Sequence, residues 1–556
     1  MPPTEGDDRM KNPTAILILA AAQFVMVLDS SVMNVSISQI VADLDTTIQG
    51  VQLAITAYTL VMAAFMLTGA KLGDIWGRDR TFAIGLVVYA TGSLITALSP
   101  NLTVLLIGWS LIEGLGAVLV VPAIAALIAA NYEGRERALA SGLIGGVAAA
   151  AVAVGPIIGG WVTTNFTWRY VFVGEVVIVA VILLFRNRMR KSPQPENPPK
   201  LDLVGAALSA SGFGFIVFGI LQSSSWGWVQ PKGALTINGT EITPLGFSIV
   251  PFLILGGLGL LATLSWWVNR RQARGEAALL DMSMLSIRTL RAGLSTLVSQ
   301  QLVLMGTFFV LPVYLQVVLG LDAFNTGLKL LPMSITMFAA ALLGPRVAAR
   351  RSPRRVAQAS FVLLALGSVI ILGTIDIELN SVWFALGLAV FGIGIGGLAS
   401  QLGNVIMSSV DPAQTNQAGG LQGTAQNLGA SLGTALIGAI LLGGLTASFV
   451  DRIADNPALT AEQQAAVTDY VTETGLEVIP VPQLETALAD AGVPPDAATA
   501  VAADYGQSQL DGLRNALFAV AVFAVLSVWF TRRLPGESTA APAPEPDPAP
   551  VALAAT

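Results

Sequence analysis

Three acidic side chains, Asp29, Glu113 and Glu175, stand inside runs of apolar residues, where an ionised group is costly and therefore a functional candidate. Their types suit one chemistry, the uptake and release of protons. Each lies in a different apolar run, roughly 8, 10 and 7 residues from the same side, which at 1.5 Å per residue is a depth of ~10–15 Å. The three can therefore meet at one level. Carboxylates crowded in a low dielectric cannot all ionise, so they are expected to share protons as a set. Cysteine and histidine are both absent, which removes thiolate catalysis, disulfides, imidazole metal sites and histidine relays. No nucleophile–base set, metal cluster or nucleotide loop accompanies the carboxylates, so neither an enzyme nor a cofactor is expected.

The elements that must position these residues are membrane helices. Of the 556 residues 54% are hydrophobic and only 12% charged, with a mean hydropathy of +0.71, a balance foreign to soluble domains. Apolar segments run over about 14–37, 50–72, 80–98, 103–130, 138–162, 168–185, 202–221, 247–268, 292–319, 325–345, 356–374, 382–408, 419–448 and 513–531. Each is long enough for a helix to cross ~30 Å of hydrocarbon. The first passes into Asp29, Ser30 and Ser31 without a small-residue cleavage site and reads as a helix, not a removed signal. Fourteen crossings put both chain ends on one side. Twenty-four of the 29 lysines and arginines fall in that side's connections; Arg169, Lys232, Lys329, Arg452 and Arg514 fall in the others. The positive-inside rule makes both ends cytoplasmic.

Two external connections are long. Residues 234–243 hold Asn238-Gly239 between alternating stretches, which predicts a β-hairpin. Residues 450–512 carry eleven Asp or Glu between Asp451 and Asp511 against the single Arg452. Thr460 with Gln463, and Pro494 to Asp496, predict short helices there, either a lid over the external mouth or a solvated spacer. The Ala/Pro-rich segment 534–556 reads as a disordered cytoplasmic tail, and 1–12 as a cytoplasmic tail.

The link between the second and third helices reads Gly69-Ala-Lys71-Leu-Gly73-Asp74-Ile-Trp-Gly77-Arg78-Asp-Arg80. Glycines suit a tight turn, and Asp74 and Arg78 suit partner exchange as two halves rock. The fifth helix ends Gly155-Pro156-Ile-Ile-Gly159-Gly160, small residues for close packing and a proline for a bend. The helix 2–3 link resembles the signature loop of the major facilitator superfamily, and the end of the fifth helix is similar to that family's antiporter motif. With Leu28 to Val35, Leu311 to Gly320 and Gln426 to Gly433, the resemblance extends to the fourteen-helix drug:proton antiporter branch of EmrB/QacA type. It implies an all-α polytopic major facilitator fold: six-helix bundles over about 13–195 and 285–533, with two extra helices in 196–284. A midplane cavity between the bundles and alternating access follow from the same resemblance.

Two departures stand out. The resemblance leads one to expect an arginine near Ser110 in the fourth helix, and a carboxylate has instead appeared at Glu113; Glu175-Val-Val177 replaces an Asn-x-Pro pattern in the sixth. The expected coupling set is therefore Asp29, Glu113 and Glu175, all in the first bundle, since Asp376 and Glu378 lie at an outer end. Asn34, Tyr58, Gln300, Gln301, Tyr314, Gln316, Gln401 and Asn404 are expected to line the substrate cavity alongside those carboxylates. The function expected is proton-coupled export of lipophilic, cationic or zwitterionic compounds from the inner membrane, with protons, a small lipophilic substrate and the bilayer as partners. No nucleic acid is expected, and a monomer is. A lipid or envelope-precursor exporter is the alternative, favoured by a lateral opening between helices. A non-transporting sensor or assembly partner is the third reading.

Overall fold

A computed structural model describes residues 13–132, 134–189, 200–232, 236–237, 240–348, 350–411 and 414–536. Fourteen helices among these residues are long and apolar enough to cross a membrane. They are α1 (Pro13–Val35), α2 (Ile48–Trp76), α3 (Arg78–Ala97), α4 (Leu102–Ile128), α5 (Gly142–Asn165), α6 (Arg169–Arg188), α7 (Leu203–Leu221) and α8 (Val250–Ala273). The remainder are α9 (Arg288–Val318), α10 (Ala323–Gly344), α11 (Pro353–Leu372), α12 (Ser381–Ser408), α13 (Gln417–Ala454) and α14 (Pro495–Arg533).

Local chemistry sets the helix ends. Thr47 caps α2 by accepting from Gly50 N (3.1 Å), and Asn101 caps α4 by accepting from Val104 N (3.0 Å). Between α2 and α3 the chain turns on Gly77 alone, at φ 88°, a conformation that costs glycine nothing. Asp74 and Arg78 face each other across this turn at 3.8 Å, whereas the space beside Gly73 is empty. Gly69, further up α2, lets the helix touch the Val118 carbonyl of α4. Lys71 is half-buried and Arg80 exposed.

Helix pairing exposes the symmetry. α2 packs along α13 and α5 along α10; counting from the start of each bundle these are helix 2 on helix 5 and helix 5 on helix 2, the pattern of two repeats related by a twofold axis. α7 and α8 pack on each other, and α7 also lies against α2 and α13, while α8 is largely exposed. Gly155 and Gly159 put α5 on Ser31 and Val32 of α1, and Gly160 puts it on the α10 backbone at Ala323. Pro156 meets Gly327 of α10. All four positions of this motif thus serve helix packing.

Two faces can be distinguished: the terminal face, where the first and last described residues, Pro13 and Gly536, lie, and the distal face. On the distal side, strands Thr236–Ile237 and Thr240–Glu241 pair antiparallel, leaving a two-residue connection that lies, with its Asn-Gly pair, outside the described residues. The acidic connection contains helices Ala461–Thr474 and Val481–Asp490, the first with both halves of a capping box on Thr460 and Gln463. It is shorter than the sequence suggests, because α13 and α14 continue as helix to Ala454 and from Pro495. Gln49 of α2 donates to Leu476 O at 3.2 Å, so this connection touches both bundles. The tails 1–12 and 537–556 lie outside the described residues.

Candidate functional site

Asp29, Glu113 and Glu175 converge from α1, α4 and α6: one carboxylate oxygen from each lies within 4.8 Å of the other two. Their exposures are 0%, 0% and 1%. At that separation two full charges repel by about 3–4 kcal/mol even at an effective dielectric of 20, so charge on one of the three opposes charge on the others. Trp109 Nε1 donates to Asp29 Oδ1 at 2.8 Å. Tyr89 and Ser93, one turn apart on α3, both donate to Glu175 Oε2 at 3.1 Å, and both also neighbour Glu113. Neither oxygen of Glu113 has a hydrogen-bond partner among the described residues.

The backbone around Glu113 is unusual. Residues Leu106–Glu113 form a π-helical stretch inside α4, a distortion often found at functional sites. Gly92 of α3 faces it: a Cβ at Gly92 would sit 2.5–2.7 Å from the N, Cα and Cβ of Glu113. A second π-helical stretch, Tyr314–Val318, ends α9.

Between the two bundles lies a cavity of about 780 Å³, lined from α1, α2, α4 and α5 on one side and from α9, α10, α12 and α13 on the other. Its walls are mostly apolar, including Met26, Met62, Met66 and Phe308, with polar Gln23, Ser30, Gln426 and Asn427. At the distal face it is closed. Gln316 Nε2 donates to Val35 O and Ser38 N donates to Gln316 Oε1, each at 3.1 Å. Gln52 Nε2 donates to Thr434 O at 2.9 Å, Ser431 Oγ to Thr56 O at 3.1 Å, and Phe324 N to Thr164 Oγ1 at 3.1 Å. Toward the terminal face, Gly142, Gly145 and Gly146 line the cavity with open space beside them.

The expected cavity residues divide into two groups. Asn34, Tyr58, Gln300 and Gln301 line it. Four others do not. Tyr314 donates to Asp376 O at 2.6 Å, and Gln316 is spent on the distal closure just described. Gln401 turns to Ser400 and the Gly344 carbonyl, and Asn404 is exposed. The carboxylates do not line the cavity either, which corrects the expectation that they would. They sit behind a wall made by Trp109 and Tyr58, whose rings stack at 4.7 Å and an angle of 1°. Tyr58 Oη neighbours Asp29, and neither it nor Asp29 Oδ2 has a hydrogen-bond partner among the described residues.

Sequence reasoning missed Trp109, Tyr89 and Ser93. A signal existed for one pair: Tyr89 precedes Ser93 by four residues in a regular α-helix, so the two share a helix face, whereas Trp109 lies with Glu113 in the π-helical stretch where that spacing does not hold. At the distal end of the same bundle, Arg169 bonds Asp43 at 2.8 Å and Ser99 O at 2.8 Å while its guanidinium covers the Trp168 ring at 4.4 Å.

Residues 19–434 match the model of the Major Facilitator Superfamily. The chain is 29% identical over 473 residues to the probable actinorhodin transporter of Streptomyces coelicolor, covering 83% of this chain and 77% of that one. It is 26% identical over 471 residues to the tetracenomycin C resistance and export protein of Streptomyces glaucescens, covering 83% and 82%. Among solved structures, an auto-inhibited POT family peptide transporter superposes with a TM-score of 0.58 at 12% identity, covering 96% of this chain and 99% of that one. The match across most of the chain, the fourteen spans and the shared fold together mean that this multi-pass membrane protein belongs to the Major Facilitator Superfamily, a family of transporters and not of enzymes, in its fourteen-helix branch.

Proposed function

We propose that the chain is a proton-coupled antiporter of the inner membrane, exporting lipophilic cationic or zwitterionic compounds by alternating access as a monomer and without a cofactor. The single observation that carries this is the position of Trp109: it borders the cavity and its Nε1 holds Asp29. A cation drawn to the stacked Tyr58–Trp109 pair is attracted by the ring faces and by any negative charge on the carboxylates one indole layer behind. A proton on the cluster removes that charge. Substrate and proton therefore compete without touching, and competition with alternating access gives exchange. Tyr89 and Ser93, bonded to Glu175 and next to Glu113, supply hydroxyls through which a proton can pass once either turns to Glu113.

With the terminal face cytoplasmic, as the lysine and arginine distribution indicates, the closed distal face and open terminal face correspond to an inward-open state ready to load substrate. One pH unit is worth ~1.4 kcal/mol per proton, so two coupled protons would support a substrate gradient of about two decades per unit. The names of the two relatives, one a transporter and one a resistance and export protein, favour export of small compounds. The lipid-exporter alternative calls for a lateral opening into the cavity, and α10 and α12 instead meet tightly where Gly344 abuts Ser400.

The test is proton exchange in proteoliposomes with a panel of lipophilic cations, comparing wild type with Asp29→Asn, Glu113→Gln and Glu175→Gln. Cation-dependent proton release that disappears in Glu113→Gln supports the reading. Cation transport with unchanged proton release in all three variants would sink it.

A further inference from the structure

A second cavity, of about 660 Å³, lies outside the central one, between α10, α11 and α12. Its walls are almost wholly apolar, with Ala339, Ala340, Leu343, Val347, Ala359 and Leu363 among them. Leu343 and Val347 are 49% and 43% exposed, so the groove opens sideways at the surface that meets hydrocarbon. Along α11 it runs from Arg355 to Leu363, and along α10 and its helical continuation to Ala348 it runs from Thr336 to Val347, a length of roughly 12–16 Å at 1.5 Å per residue. That is about half the ~30 Å hydrocarbon core, the depth of one leaflet.

The groove ends at the terminal face on Arg351 and Arg355. They stand four residues apart, one before and one inside the first turn of α11, and both are exposed. Neither is in an ion pair among the described residues. Between them Ser352 occupies the cap of α11, buried and outside the groove lining. A helix N-terminus adds partial positive charge, and guanidinium forks suit phosphate oxygens. Apolar walls one leaflet deep that end in two arginines outside any ion pair among the described residues, beside a helix N-terminus, complement one kind of molecule, an amphiphile with an anionic phosphate head.

We propose that this groove binds an anionic phospholipid of the adjacent leaflet, with its phosphate on Arg351 and Arg355 and an acyl chain along α10, α11 and α12. The acyl chain lies against Ser400, a residue that also lines the central cavity. Lipid occupancy therefore presses on a wall of the transport site. This assignment stands whether or not the protein is driven by protons.

The test is native mass spectrometry of the full-length protein released from a mixture of phosphatidylglycerol and phosphatidylcholine. Wild type is expected to retain one phosphatidylglycerol with a preference of at least about tenfold, as two arginines at a headgroup provide. Arg351→Gln/Arg355→Gln brings the two lipids to parity. Arg346→Gln/Arg350→Gln, an equal loss of charge outside the groove, keeps the preference. Ala359→Phe, or Leu363→Trp if the first does not fold by thermal unfolding, fills the groove and removes the retained lipid. Millimolar inorganic phosphate does not displace it. Equal retention of both lipids by wild type, loss of preference in the Arg346/Arg350 variant, lipid retained in the filled groove, or displacement by free phosphate would each overturn the proposal.

Discussion

Trp109 joins two environments: its Nε1 lies 2.8 Å from Asp29 Oδ1 inside the first bundle, while its ring stacks on Tyr58 at the wall of the central cavity. Phenylalanine at this position keeps a stacking ring and removes the donor. A hydrogen bond to a charged group contributes about 1.5–3 kcal/mol, and its loss leaves Asp29 without its one described donor. Trp109→Phe is expected to keep substrate binding within a few-fold of wild type while proton release per substrate falls by at least half. Parallel binding and proton-flux measurements check this, and an equal fall in both would assign Trp109 to binding alone.

Gly92 lies against the Glu113 backbone with no room for a methyl group. The N and Cα of Glu113 are helix backbone at the π-helical stretch and its Cβ is fixed to them, so the clash cannot be relieved by turning a side chain. Overpacking of this kind costs about 1–3 kcal/mol. Gly92→Ala should lower the thermal midpoint and abolish coupled transport together. Gly259→Ala on α8, where a methyl group meets open space, should be neutral or stabilising by up to about 1 kcal/mol.

The chain has no cysteine, so introduced thiols report cleanly on the distal closure. Phe324 N and Thr164 Oγ1 are 3.1 Å apart across the two bundles. Thr164→Cys/Phe324→Cys is expected to form a disulfide in the resting protein, to stop transport when oxidised and to recover with reductant. Unimpeded transport by the fully cross-linked protein would mean that the distal face does not open there.

Export driven by external acid should rise as the outside pH falls below the inside pH, because protons entering down their gradient discharge the cluster. Glu113→Gln removes the carboxylate that has no hydrogen-bond partner on either oxygen among the described residues without removing its bulk. Its export rate should be flat across pH 6 to 8, within about twofold, at any imposed gradient. A preserved pH dependence would place coupling on Asp29 and Glu175 without it.

The fourteen spans and the common depth of Asp29, Glu113 and Glu175 were legible in the chain, because apolar length and axial rise accumulate residue by residue. The capping box at Thr460 and the short hairpin were legible for the same local reason. The direction in which each side chain points around its helix was not. Periodicity fails as a guide where a helix is apolar on all sides, as α4 is, and the π-helical stretch turns Glu113 by an amount no spacing rule gives. Tertiary packing alone therefore decided that the carboxylates lie behind Trp109 and Tyr58 instead of in the cavity. It also decided that Gln316 closes the distal face and that Gln401 turns to a neighbouring helix. Composition and spacing set which residues share a depth in the membrane; only the packing of one helix face on another sets which of them meet.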